Sequence, residues 1–261
     1  MGFKVMILVI DIGNTTISMS MYDGKDFKNT TTLSHFPELT SMSLSEVFLS
    51  VFGKVNLEGC IISSVVEELT DVVYEAVTNR YKVNALILSS DLDIGVNLNI
   101  KNPELIGSDR LANLCAASSL YHKYPLVVVD SGTATTFDIL DNKGAFIGGL
   151  IMPGFAMQLQ SLHDHTSKLP VIDLENKIKV HKVICTTTKS QILSGVVRGH
   201  ICSIEGLLEH CASELGEKPF VVITGGGAGI IQEYMSKDKY DIVNTMLTLE
   251  GEKLIYERNM D

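Results

Sequence analysis

Leu8-Val9-Ile10-Asp11-Ile12-Gly13-Asn14-Thr15 and Val127-Val128-Val129-Asp130-Ser131-Gly132-Thr133-Ala134 decide the reading of this chain. Each is an apolar run that ends in Asp, with Gly two residues later and small hydroxyl residues around it. An apolar run without alternation predicts a strand buried on both faces. Glycine after the carboxylate lets the backbone turn sharply and approach a ligand without a Cβ in the way. The N–H groups exposed by such a turn, with nearby hydroxyls, suit phosphate oxygens. A carboxylate facing phosphate calls for a cation, held directly or through water. One Asp-x-Gly is an ordinary turn. Two of them on buried strands, offset by far more than a solenoid repeat, imply a duplicated domain with a ligand held between the copies.

Working outward, residues 5–10 predict a strand ending at Asp11, and 17–22 alternate as the return strand of a hairpin. Tyr22-Asp23-Gly24-Lys25 is a turn and 27–33 a third strand. A helix opens at Ser43 or Ser45 and runs to 53. Then follow a buried strand at 59–65, a helix at 67–80, a strand at 85–88 and a helix at 108–122. The second half begins the same way, with strands at 125–129, 135–140 and 145–150 before Met152-Pro153-Gly154. Helices are expected at 155–165, at 188–214 (whole or broken) and at 228–235. Phe220-Val221-Val222-Ile223 is a strand entering Thr224-Gly225-Gly226-Gly227, whose glycines permit close passage of a flat nucleoside or a phosphate. No linker separates the halves, and the expected division is 1–118 and 119–261. Nothing after residue 235 is assigned to an element.

Composition narrows the function classes. With 261 residues, 45 % of them hydrophobic, the chain can bury a sizeable core. A net charge of −10 and a pI of about 5.2 repel a phosphate backbone, so no nucleic-acid partner is expected. No apolar run is long enough for a membrane helix, so no membrane partner is expected. Met1 to Met6 lead straight into the first strand with no signal-peptide pattern, which predicts a cytoplasmic protein. The five cysteines are odd in number and contain no C-x-x-C pair, which fits reduced thiols rather than a disulfide framework. His163-Asp164-His165 places two histidines on opposite sides of a helix and is read as packing, not as a metal site.

Between the two turns lies Asn102-Pro103-Glu104-Leu105-Ile106-Gly107-Ser108-Asp109-Arg110. A proline-bounded loop enters a helix near Ser108, whose free N–H groups and dipole suit an anion. Read locally, Ser108 or Asp109 caps that helix and Arg110 is solvated. Read chemically, Asp109 is a general base for an alcohol acceptor and Arg110 a planar fork for a carboxylate or phosphoryl group. Positioning and charge neutralisation would then carry most of the catalysis.

The order of phosphate turn, phosphate turn and glycine-rich nucleoside turn resembles the actin-like ATPase superfamily. That resemblance implies an α/β duplicated fold of two ribonuclease-H-like lobes, each a mixed sheet with flanking helices. Over nearly the whole chain, from about Met6 to Asn259, the sequence also resembles type III pantothenate kinase. The matching elements are Asp11 to Thr15, Asn102-Pro103 with Gly107 to Arg110, and Asp130 to Thr136. Gly148-Gly149 with Pro153-Gly154, Lys168-Leu169-Pro170, Ser194-Gly195 and Thr224-Gly225-Gly226 also match.

The resemblance implies ATP-dependent phosphorylation of the primary hydroxyl of pantothenate, the first step toward coenzyme A. It assigns ATP binding to Asp11, Ile12, Gly13, Asn14, Thr15, Thr16, Ile17, Ser18 and Thr133, and the proton acceptor to Asp109. Pantothenate would meet Ile100, Gly107, Ser108, Asp109, Arg110 and Thr188. Asp130 would bind a monovalent cation, K+ or NH4+, and Mg2+ would accompany ATP. A homodimer with the site near its interface is implied, with Thr188 reaching across it. Two positions depart from the family. Ile100 stands where an aromatic residue, commonly Tyr, is usual, and Cys185-Thr186-Thr187-Thr188 replaces Gly-x-Asn-Thr. These departures leave open a nucleotide-binding regulator with weak catalysis, or an actin-like kinase of another small hydroxy acid.

Overall fold

In the computed structural model, residues 6–34, 39–174, 180 and 182–260 are described. The residues before Met6, and His181, lie outside them. The first turn sits at the centre of a sheet. β1 (Ile7–Ile12) pairs antiparallel with β2 (Thr16–Tyr22) and parallel with β4 (Gly59–Ser64). β3 (Phe27–Ser34) and β5 (Ala85–Ile87) form the edges, giving the order β3-β2-β1-β4-β5.

Both faces of β1 are covered, which explains its unbroken apolar run. Leu8, Ile10 and Ile12 pack with Leu44 and Phe48 of α1 (Ser41–Phe52) and Val73, Ala76 and Val77 of α2 (Glu67–Tyr81). Ile7 and Val9 pack with Leu111, Ala112 and Cys115 of α3 (Ser108–Tyr121). Leu249, Ile255 and Tyr256 of α7 (Leu247–Met260) complete that second face.

The second sheet repeats the plan. β6 (Leu126–Ser131) is central, antiparallel to β7 (Ala134–Leu140) and parallel to β9 (Phe220–Thr224). β8 (Phe146–Pro153) and β10 (Ile242–Val243) are the edges. Read from β8, the order β8-β7-β6-β9-β10 reproduces β3-β2-β1-β4-β5. Helices α4 (Phe155–Asp164), α5 (Thr188–Leu215) and α6 (Ala228–Tyr234) pack on the face that carries Val127, Val129, Phe137 and Ile223.

Three expectations are revised, and the alternative left open at 188–214 is resolved. α1 opens earlier than Ser43 or Ser45: Thr40 caps it, accepting from the Ser43 N–H at 3.2 Å, while the Thr40 N–H donates to Ser43 Oγ at 3.0 Å. β8 continues through Met152 to Pro153 as the edge partner of β7. α5 is one unbroken helix of 28 residues, because Ile192, Val196, Ile201, Ile204 and Leu208 keep an apolar stripe across its three inner glycines. α7 and β10 have no counterpart in the expected elements.

The chain divides into two compact units. Residues up to His122 join those from Met246 onward, and Lys123–Thr245 form the other. The sequence reading put the division at 118/119 and left the C-terminal residues with the second half. The contacts return α7 to the first unit.

Candidate active site

In the first unit, four elements bring polar groups to one end of the sheet. β1 presents Asp11, β4 presents Ser63 at the paired position, α3 begins with Ser108 and Asp109, and α7 contributes Glu252. The buried Ser63 hydroxyl donates to Ser108 Oγ at 2.9 Å and lies 3.3 Å from Asp11 Oδ1. Ser108 in turn donates to the Ser64 carbonyl at 3.0 Å. These bonds tie the first turn to the start of α3. They also overturn the local capping reading, since Gly107 is the N-cap and no side chain caps the helix.

Asp109 is half-buried. Its Oδ1 accepts the Arg110 N–H at 2.8 Å, and a Cβ at Gly107 would drive into that same oxygen. Glycine is therefore what lets the carboxylate fold back over the helix start. Burial raises the Asp109 pKa above its ordinary value, opposed by the Arg110 N–H and the Arg110 charge. Glu252 is 0 % exposed, and its pKa stands well above the ordinary glutamate value. Burial is the main cause, reinforced by the Asp11 and Asp109 carboxylates, while the Ser63 hydroxyl favours the charged form.

The residues expected to bind ATP form the β1–β2 hairpin. Gly13 N–H donates to the Thr16 carbonyl at 3.0 Å, and Asn14 and Thr15 are exposed at the tip. Ile12 and Ile17 point into the core at 0 % and 1 % exposure, so only their backbones could face a ligand. Ser18 Oγ pairs with Thr32 Oγ1 at 3.2 Å. Ile100, Gly107 and Arg110 are half-buried.

In the second unit, the turn is one residue shorter. Asp11 pairs with Ser18, whereas Asp130 pairs with Thr136, and Gly132 N–H donates to Ala134 O at 2.9 Å. Glycines crowd this turn. Gly225, at φ +86°, leaves no room for a Cβ beside Asp130 Oδ1, and Gly154 none beside the Gly132 and Thr133 carbonyls. Gly227 N–H donates to the Ser131 carbonyl at 2.7 Å. Thr136 and Thr224 flank Asp130 across the two strand pairs, and both hydroxyls are buried without a hydrogen-bond partner among the described residues. A carboxylate between orphaned hydroxyls is an oxygen donor set that fits a hard cation. Among the described residues, no group of three or more His, Cys, Asp or Glu is arranged to hold a metal ion. Thr188 is exposed at the first turn of α5, where Thr187 is the cap.

Sequence reasoning missed Ser63 and Glu252. Ser63 carried a readable signal, a hydroxyl pair ending a buried strand beside the first turn. Glu252 carried none, since its helix was unassigned. Among the described residues, no helix is long and apolar enough to cross a membrane.

Comparison with known proteins agrees with this architecture. A Baf-family transcriptional activator from Campylobacter jejuni superposes at a TM-score of 0.60 with 22% sequence identity, covering 97% of this chain and 98% of that one. The activator of 2-hydroxyisocaproyl-CoA dehydratase from Clostridium difficile, with bound ADPNP, gives 0.53 at 14% identity, covering 98% and 96%. The ethanolamine utilization protein EutJ from Carboxydothermus hydrogenoformans gives 0.52 at 14%, covering 95% and 89%. These likenesses establish the fold, a duplicated actin-like ATPase fold of two mixed sheets with flanking helices. The sequence itself matches a family described as type III pantothenate kinase over residues 7–210. The chain belongs to the type III pantothenate kinase family.

Proposed function

We propose that the protein transfers the terminal phosphoryl group of ATP to the primary hydroxyl of pantothenate, with Asp109 as proton acceptor. The observation that carries this reading is the hydrogen-bonded link from Asp11 through Ser63 and Ser108 to the start of α3. It joins the turn assigned to ATP with the helix that carries the assigned base. Burial makes Asp109 a stronger base than an exposed aspartate, and Arg110 beside it suits a substrate carboxylate or the moving phosphoryl group. The backbone of Asp11 to Ser18, the Asn14 and Thr15 side chains and Thr133 would hold ATP. Ile100, Gly107, Ser108 and Thr188 would line the acceptor site. Mg2+ bound with ATP would neutralise phosphate charge. Asp130, with Thr136 and Thr224, would hold K+ or NH4+. A cytoplasmic homodimer with the site near its interface belongs to the same reading.

A coupled ADP-release assay tests it, with MgATP and a panel of acceptors (pantothenate and other small hydroxy acids), with and without KCl. Pantothenate-dependent turnover stimulated by K+ is expected. No turnover with pantothenate at millimolar concentration would sink the assignment. Turnover with another hydroxy acid alone would move it to that substrate. Ile100, half-buried where the family commonly has a phenol, favours one second reading, a nucleotide-binding regulator. Nucleotide binding without turnover of any acceptor would support it.

A further inference from the structure

His200 takes no part in the reaction as proposed, yet it is buried against the strand that leaves the second turn. It lies on α5 and is 1 % exposed, and Thr135 of β7, which it meets, is 0 % exposed. Its neighbours settle where its proton lies. Gln158 of α4 donates from Nε2 to the Pro153 carbonyl at 2.9 Å, which fixes the amide, since its oxygen could not bond a carbonyl. The same nitrogen lies 2.7 Å from His200 Nδ1 and can only donate there. Nδ1 therefore accepts, the ring proton sits on Nε2, and Nε2 donates to Thr135 Oγ1 at 3.0 Å. The Phe155 ring packs edge-on against the imidazole, with centroids 4.2 Å apart.

This cluster grips the residues of the turn. Pro153 pairs with Ala134, and the Gly154 N–H donates to the Thr133 carbonyl at 3.0 Å. Thr135 stands between Ala134 and Thr136, and Thr136 pairs with Asp130. Successive side chains of a strand face opposite ways, so α5 holds Thr135 from one face while Thr136 shares the other with Asp130. An apolar pair of the same shape would fill the space of His200 and Thr135 at little loss. Polar groups kept against packing logic concentrate where a protein uses them.

We propose that His200 is a positioning residue for the second turn: its Nε2–H holds Thr135 to α5, and so sets Thr133 for ATP and Thr136 for the cation beside Asp130. This rests on the reading of the second turn as a phosphate and cation site.

The test is MgATP affinity by calorimetry in KCl and in choline chloride, with melting temperature alongside. The variants are His200→Phe, Thr135→Val, the double variant of these two, and His200→Gln. Wild type should bind MgATP more tightly with K+. The Phe and Val variants should each weaken binding in KCl by about tenfold. Gln can still donate to Thr135 and accept from Gln158, and should stay within about threefold. Each apolar single variant strands a buried polar group and should melt lower, whereas the double variant removes both and should regain stability. Its affinity should stay about tenfold weak. A double variant that regains affinity together with stability would overturn the proposal, because the bond would then serve stability alone. A Gln variant as weak as Phe would overturn it too. If the apolar variants do not fold, nitrogen NMR shifts of the wild-type imidazole decide. A proton on Nε2 is expected, and one on Nδ1 overturns the proposal. A wild type that binds no MgATP, or binds it indifferently to K+, removes the reading of the second turn and this inference with it. A K+-dependent wild type with variants unchanged removes the inference alone.

Discussion

Asp109 is pulled in opposite directions by its surroundings. Burial favours the protonated acid, and the Arg110 N–H and guanidinium favour the carboxylate. Burial wins, so the pKa lies above the ordinary aspartate value of 3.8. As the proposed base, Asp109 would act when ionised, so activity would be lost as pH falls through the raised value. The acid limb of kcat/KM should therefore lie above pH 3.8 and vanish in Asp109→Asn. That variant should lose about 10²–10⁴ in kcat while keeping MgATP affinity within about threefold. Retention of the wild-type rate would remove Asp109 as the base. The sign for stability is the reverse of a salt-bridged aspartate. A folded state that holds its proton more tightly than the unfolded chain loses stability as pH rises through that window. Asn should accordingly melt no lower than wild type at pH 7, with the difference closing in acid.

At the scale of elements, α7 poses a test between propensity and packing. Alanine at Gly251 would favour the helix by about 1 kcal/mol. The same Cβ would meet the Ala112 carbonyl, and relieving that contact means moving α7 off α3 at a cost of about 1–3 kcal/mol or more. Packing should win, so Gly251→Ala should lower the urea midpoint, and an unchanged or higher midpoint would show that the two helices can separate freely. The same helix explains what the sequence could and could not reveal. β1, β4, β6 and β9 were legible because strands buried on both faces must be apolar throughout. α3 and α5 were legible because their buried faces are lined by Leu, Ile, Val and Ala. The buried face of α7 instead contains Gly251 and Glu252. A glycine at the close approach and a buried carboxyl interrupt the apolar residues Leu247, Leu249, Ile255 and Tyr256, so their stripe is hard to read. The link from Asp11 to Ser108 was likewise hidden. It depends on β4 lying beside β1, a pairing between residues far apart in the chain.

At the scale of the whole chain, the first unit is not continuous in sequence. The chain leaves it after His122, builds the second unit and returns at Met246. The family match ends at residue 210, so β9, the glycine turn and α7 all lie beyond it. The first unit therefore depends on a segment that follows the other unit in sequence. Leu247, Leu249, Ile255 and Tyr256 are all buried. At about 1.5–3 kcal/mol each, they supply roughly 6–12 kcal/mol, comparable to the whole stability of an ordinary domain. Ending the chain at Thr245 should then unfold the first unit rather than merely loosen it. Hydrogen exchange should show β1, β4 and α3 losing protection together, while β6, β7 and β9 keep theirs within Lys123–Thr245. Full protection of β1 in the truncated chain would show that α1 and α2 alone sustain the sheet. Selective loss would mean that Asp11 and Asp109 cannot be assembled until α7 has been made, so the site of the first turn is completed by a segment that follows the second unit in sequence.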